Sequence, residues 1–460
     1  MGTTNSISGK ELRLSLSLVI IGIAIGNGFF VVINGASFTG FTRELGAGDL
    51  LYGIIMAMPV IGGILQVFAS YYLENTGKRK QLFLISGFIQ RLLWIPVAII
   101  PLIIPEKYNY IIIWSVTILI TIASASGSIN GLTFYPWLGD LVPLEMRGSF
   151  FSRRSAISTA TGAVAGIAAG LFLDAVQGFR GYAVVFIVAA LLGTVDILCF
   201  IWIKDPPMTV SERKIPFTEL FIKPFRNKNY MRFVLFVSAW NFGMNFSGPF
   251  FNVYMLEYLG MSFLKVFLFG QVVSSISTVI FARYWGRIID KFGCKPVIAI
   301  CCFVVAFLPV LWIFATPENY LIILLINFCS GIFNPGIDMS ALNLSIWLAP
   351  DENRSIYVAD YTLLTSSVGI ALAYILGGAF MQYVKPFIDM LDATFVLGQK
   401  FSNYHALFIL SGLLRMAALV FMFHRFHEEN SQSPLKVLKS MYGSFRAKAD
   451  AIICRNKAAN

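Results

Sequence analysis

The chain has 460 residues, 57% of them apolar and only 13% charged, with a formal net charge of +11 and a mean hydropathy of +0.74. A soluble domain carries about 25% charged residues, so this composition excludes a cytosolic globule and a disordered chain, and it excludes nucleic-acid binding despite the basic excess. The apolar content comes in blocks of roughly 20–28 residues, each long enough to cross a hydrocarbon core about 30 Å thick. Charged residues separate twelve such spans: 14–42, 50–73, 81–104, 109–137, 155–177, 182–203, 233–256, 266–284, 297–316, 319–347, 361–384 and 404–424. Lys10 and Arg13 precede the first run. That run is too long for a signal-peptide core and lacks a small-residue cleavage site, so it reads as span 1.

An even number of spans places both termini on the same side. The loops on that side and the termini carry 27 Lys and Arg residues. The opposite loops carry six (Arg43, Lys107, Arg180, Lys265, Lys385 and Lys400), and Arg91 and Arg415 lie within spans. The positive-inside rule then puts both termini in the cytoplasm. Cys199, Cys294, Cys301, Cys302, Cys329 and Cys454 fall in spans or inner segments, so no disulfide framework and no metal-ligand spacing is expected. The outer loops hold no N-x-S/T sequon and the soluble segments are short, which points to a bacterial inner membrane.

The longest charged interior segment divides six spans from six. The expected organisation is a six-helix half over 1–203, a cytoplasmic linker over 204–232, a second half over 233–424 and a cytoplasmic amphipathic tail over 425–460. The halves repeat each other. Asn109-Tyr110 and Asn319-Tyr320 open spans 4 and 10, and Trp137 and Trp347 close them, all at an offset of 210. Asn27 matches Asn241, and Leu45-Gly46 matches Leu259-Gly260, at an offset of 214. Pro143, Arg147 and Phe150 in the loop after span 4 answer Pro350, Arg354 and Tyr357 after span 10. A six-plus-six parallel repeat is a transporter architecture with its site between the halves, near the midplane.

The loop after span 8 reads Gly286-Arg287-Ile288-Ile289-Asp290-Lys291-Phe292-Gly293-Cys294-Lys295. It resembles the G-x-x-x-D-[RK]-x-G-x-[RK] signature of the major facilitator superfamily. The loop after span 2 holds a worn copy, with Ser70, Glu74, Asn75, Gly77 and Arg79 at the matching places and Asn75 where a basic residue is expected. The resemblance implies an all-α polytopic membrane protein of twelve transmembrane helices in two six-helix halves. It also implies that helices 1, 4, 7 and 10 line the central cavity, and that these loops latch the halves on the cytoplasmic side. Glu74, Asp290, Arg287, Lys291, Arg147 and Arg354 would then be gate residues. Subfamily marks are missing: span 1 has no acidic residue, span 4 no Arg, and Ile167 stands where an exporter motif has proline.

A polar side chain inside a membrane should face the bundle interior or a wet cavity. Asn327, Ser330, Asn334, Asp338 and Ser345 occupy one face of span 10, and Thr117, Thr121, Ser124, Ser128 and Tyr135 one face of span 4. Span 7 carries Asn241 and Asn245 on one face, and span 1 carries Asn27 and Asn34. The expected substrate-binding set is Asn27, Asn34, Ser124, Ser128, Tyr135, Trp240, Asn241, Asn245, Asn327, Asn334 and Asp338. Polar residues of this kind also bind helix to helix, which is the competing role for each.

Asp338 stands apart, because an Asp near a span centre costs about 2.5–3.5 kcal/mol on insertion scales. Its expected roles are coupling to protons or another cation, meeting a cationic solute, or bracing a kink at Asn334-Pro335-Gly336. Arg91 and Asp196 read as a structural ion pair within the first half, Asp360 as a helix N-cap or gate, and Arg415 has no evident partner. Basic segments with interleaved aromatics, Phe217, Phe221 and Phe225 in the linker and Leu435, Leu438, Tyr442 and Phe445 in the tail, read as helices on the anionic inner leaflet.

The sequence therefore reads as a monomeric secondary active transporter, with no cofactor and no metal, moving a small neutral or cationic organic solute by alternating access on a proton or other cation gradient. No Arg or Lys lies within spans 1, 4, 7 or 10, which disfavours a multivalent anion. Efflux of amphiphilic drugs is the near alternative. A non-transporting sensor, scaffold or lipid-modifying enzyme is the distant one; the spans hold no His/Asp/Glu cluster for an enzyme.

Overall fold

The computed structural model describes residues 9–206, 225–350, 354–391, 400–429 and 431–440. The architecture is all-helical and makes twelve passes, several of them interrupted where the sequence demands it. Span 1 runs Gly9–Val32 and resumes as Ala36–Glu44. The break falls at Asn34-Gly35, where Gly35 takes a φ of +77° that a side chain would resist. Span 2 runs Asp49–Gly62 and Leu65–Thr76, broken just after Pro59 at paired glycines. Span 3 is Arg79–Leu92 with Trp94–Ile103, span 4 Asn109–Leu141, span 5 Arg147–Ala175 and span 6 Phe179–Ile201.

In the second half, span 7 runs Lys228–Ser247, then Phe250–Val253 and a wide turn Tyr254–Tyr258, with Gly248-Pro249 at the break. Span 8 covers Phe263–Phe292, span 9 Cys294–Leu311 and span 10 Ile322–Trp347. Span 11 runs Arg354–Leu363, a stretch of wide turns Leu364–Ala371, and Leu372–Leu391; span 12 is Asn403–Met422. Ten of these helices are long and apolar enough to cross a bilayer; the other two passes are the interrupted spans 2 and 7. Span 10 does not break at Pro335. The helix continues through it, and Gly336 is needed for contact instead, since a methyl there would lie 2.7 Å from the Cys301 sulfur.

Each half is packed mostly within itself: span 1 on 5 and 6, span 3 on 4 and 6, span 7 on 12, and span 10 on 8 and 9. Phe83, Trp137 and Phe200 form an aromatic core in the first half. Phe251, Trp312 and Phe408 form one in the second. The expected Arg91–Asp196 pair is present at 3.4 Å, both side chains buried. Span 1 passes directly over it, and a methyl at Gly26 would sit 2.4 Å from the Asp196 carboxylate.

The worn signature and its intact copy share two features. Gly77 and Gly293 both take positive φ, +64° and +91°, and two residues on, Arg79 and Lys295 tie the start of the next span to the end of its own half. Arg79, fully buried, binds Asp140 at 2.6 Å and Asp205 at 2.8 Å. Lys295 donates to the Phe426 carbonyl at 2.6 Å, and the Glu428 carboxylate caps the N–H groups of Cys294 and Lys295. A carboxylate there satisfies open helix donors and opposes the dipole, worth about 0.5–2 kcal/mol.

Of the linker aromatics, Phe217 and Phe221 lie outside the described residues, while Phe225 is exposed. In the tail, 425–429 and 431–440 are described, and 434–440 forms a short helix exposing Leu435 and Leu438 and burying Val437; Tyr442 and Phe445 lie outside.

Candidate functional site

The halves meet along spans 2 and 11 and spans 5 and 8, and span 1 approaches span 7 at its end. Glycine makes these approaches possible. A methyl on Gly53 would lie 2.3 Å from the Tyr374 carbonyl, one on Gly378 2.6 Å from the Asp49 carbonyl, and one on Gly170 2.9 Å from the Leu264 backbone. Close backbone contact between small residues is how membrane helices associate.

Side chains then lock this end. Arg43 binds Glu257 through two hydrogen bonds, at 2.5 and 2.8 Å, and also holds Asp49 at 3.0 Å. The Asp174 carboxylate at the end of span 5 accepts from the Phe263 and Leu264 N–H groups that open span 8. Tyr52 donates to the Pro249 carbonyl at 3.1 Å, and the Leu50 N–H reaches Gln382 on span 11. Among the described residues, all hydrogen bonds joining the halves lie at this end, the side of the loops poor in Lys and Arg. At the other end Tyr135, Leu144 and Trp347 are exposed.

Above that closure is a cavity of about 760 Å³ between the halves, in the range of small-molecule sites. Asn34, Trp240, Asn241, Asn245, Asn327, Asn334 and Asp338 all line it. The asparagine amides donate locally, Asn34 to the Phe30 carbonyl, Asn245 to that of Asn241, Asn327 to that of Ile323 and Asn334 to the Ser330 hydroxyl. Each keeps a second N–H and its carbonyl oxygen for another partner. Asp338 is exposed to the cavity, and no hydrogen bond or ion pair joins it to a described residue. It therefore does not brace a kink.

Four expected residues do not line this cavity. Asn27 donates to the Ser158 carbonyl on span 5 at 2.6 Å, sealing a helix seam. Ser128 bonds the Ser124 carbonyl at 3.2 Å within its own helix. Tyr135 is exposed and stacks near Arg154. Span 4 contributes no wall here, because the Thr121 stretch packs against Gly62 of span 2. The first-half walls come from span 1 and from Gly166, Ala169 and Gly170 of span 5 instead.

Arg287, Asp290 and Lys291 are exposed, and none forms an ion pair among the described residues. The side chains of Glu74 and Arg354 lie outside the described set. Arg147 donates to the Val142 and Gly139 carbonyls, closing the end of span 4 in its own half. Asp360 is not an N-cap: the helix begins at Arg354, and both Asp360 oxygens are buried without a hydrogen-bond partner among the described residues.

Arg415 is the residue whose place the sequence did not show. It reaches from span 12 to the cavity wall, buried, its guanidinium held by the carbonyls of Gly243, Met244 and Val305 at 3.1–3.4 Å. Its partners are backbone oxygens, invisible to any inventory of acidic side chains.

The model of the Major Facilitator Superfamily matches residues 16–284 and 271–452. Among solved structures, a point variant of the nucleoside transporter NupG aligns with a TM-score of 0.70 at 13% identity, covering 90% of this chain and 100% of that one. A bacterial homologue of the human lysosomal transporter Spinster, inward-facing and unoccupied, aligns at 0.65 and 14% identity over 91% and 97%. A bacterial homologue of the iron transporter ferroportin, also inward-facing, aligns at 0.65 and 14% identity over 90% and 98%. No curated protein sequence matches the chain.

Proposed function

Because the chain belongs to the Major Facilitator Superfamily, we propose that it is a secondary active transporter moving a small neutral or cationic organic solute by alternating access, coupled at Asp338 to a proton or another cation. The observation that carries this reading is a polar cavity between two halves that are bonded to each other at one end only. A scaffold has no need of such a cavity. The carboxylate of Asp338 faces that space unpaired, where membrane burial makes a bare charge costly and a transient cation welcome. With the termini in the cytoplasm, the bonded end is the outer one and the geometry is inward-facing, the state in which two of the structural neighbours were solved. Efflux of amphiphilic drugs is a second reading, favoured by the aromatic wall of Phe30, Trp240, Phe251 and Trp312.

The test is uptake of a mixed metabolite and drug pool into proteoliposomes, read by mass spectrometry, with and without imposed pH and sodium gradients, for wild type and Asp338→Asn. A solute concentrated by wild type only under a gradient, and not by the variant, is the expected result. Gradient-driven accumulation that survives Asp338→Asn would remove Asp338 from coupling. No movement under any gradient would return the sensor or scaffold reading.

A further inference from the structure

The cavity wall holds two opposite charges that do not neutralise each other. Asp338 comes from span 10 and faces the open space. Arg415 comes from span 12, with neutral carbonyls as its hydrogen-bond partners. Both line the same cavity, yet no ion pair joins them among the described residues. Three carbonyls use three of the five guanidinium N–H groups, which leaves donors for a further acceptor.

Carbonyl dipoles orient a guanidinium but do not cancel its charge, and an uncompensated charge at membrane depth is costly. A solute that is only cationic would satisfy Asp338 and leave Arg415 unopposed. One that is only anionic would do the reverse. We infer that the cavity binds a zwitterion, its carboxylate on the Arg415 side and its ammonium on the Asp338 side, with the asparagines of spans 7 and 10 holding the polar groups between. Such a solute is net neutral, so this inference rests on the transport reading above and narrows it. It also explains why an arginine sits in span 12 with no acidic partner among the described residues of its own half.

The probe is a pool of α-amino acids, betaines and short peptides, each paired with its methyl ester, which lacks the anion, and its deaminated acid, which lacks the cation. Exchange of solute across proteoliposomes with no imposed gradient is measured for wild type, Arg415→Gln, Arg415→Lys and Asp338→Asn. Wild type should favour a zwitterion over both of its analogues by roughly tenfold or more, as expected where each end makes a charged hydrogen bond. Arg415→Gln should erase the preference over the ester, and Asp338→Asn the preference over the deaminated acid. Arg415→Lys, which keeps the charge should the glutamine variant fail to fold, should retain the preference at lower affinity. Wild type carrying esters as well as zwitterions would overturn the zwitterion inference and leave a cation transporter standing. So would an Arg415→Gln variant that slows every solute equally, which is the result of a purely structural tether. Failure of wild type to move any of these compounds while it moves other solutes from the metabolite and drug pool would overturn the zwitterion alone. Failure on both pools would overturn the transport reading as well.

Discussion

Arg43 and Glu257 occupy equivalent positions of the two halves, 214 residues apart, and bind each other across the junction through paired hydrogen bonds of 2.5 and 2.8 Å. Positions related by the repeat can meet only close to the axis that relates the halves, so this pair lies at the centre of the bonded end. Opposite charges at equivalent places turn a symmetric contact into a latch. Both partners are partly exposed, so the pair is worth only about 0.5–1 kcal/mol, enough to shift a two-state equilibrium two- to fivefold. Glu257→Gln should therefore move the population toward the state open on this side. Spin labels placed beside Arg43 and Glu257 at the ends of spans 1 and 7 would report it as longer distances. The swap of Arg43→Glu with Glu257→Arg should restore the short distances; if each single variant and the swap all matched wild type, the pair would be incidental to closure.

Glycine sets a harder limit at the junction of spans 2 and 11. A methyl on Gly53 would lie 2.3 Å from the Tyr374 carbonyl, a backbone atom that cannot swing aside. Gly53→Ala should still insert and fold, since the clash exists only when this end is closed, but transport should fall at least tenfold. Cysteines placed in the cavity should become labelled by an impermeant reagent from outside. Normal uptake by Gly53→Ala would mean that spans 2 and 11 separate more than the structure shows.

Much of the fold was legible because the membrane imposes it. Twelve apolar runs, an even count and a charge bias define the passes, and the signature loops recur where the repeat places them. Breaks could be anticipated only where a proline or paired glycines showed them, as at Pro59-Gly62-Gly63 and Gly248-Pro249. The site was half legible. The stripe of Asn327, Asn334 and Asp338 lines the cavity, whereas the matching stripe of span 4 does not, because helical periodicity marks a polar face without saying whether it meets water or another helix. Arg43 and Glu257 lie two residues before the Leu45-Gly46 and Leu259-Gly260 match, but a comparison of like with like passes over opposite charges.

Arg79 offers a test of stability separate from transport. Its side chain is 1% exposed and bridges Asp140 and Asp205, tying span 3 to the ends of spans 4 and 6. Arg79→Ala leaves two carboxylates without their cation. The cost should be about 2–3 kcal/mol, below that of opening a sealed pair because Asp140 is half exposed. Thermal unfolding in detergent should show a lowered midpoint, with Arg79→Lys falling between. An unchanged midpoint would mean that water already satisfies both carboxylates.

Two asparagines from the polar stripes should behave in opposite ways. Asn27 gives its N–H to the Ser158 carbonyl at 2.6 Å, in a seam so tight that a methyl on Gly162 would lie 2.5 Å from its nitrogen. Asn334 bonds only the Ser330 hydroxyl one turn back and lines the cavity. Asn27→Ala should thus lower stability by about 0.5–1.5 kcal/mol while leaving the KM for the transported solute within twofold. Asn334→Ala should raise that KM several-fold with little change in stability, since its local bond contributes less than the contact a bound solute would make. Measured together, unfolding midpoints and uptake kinetics separate a helix-seam residue from a cavity residue. The reverse pattern would place span 1, rather than span 10, at the solute.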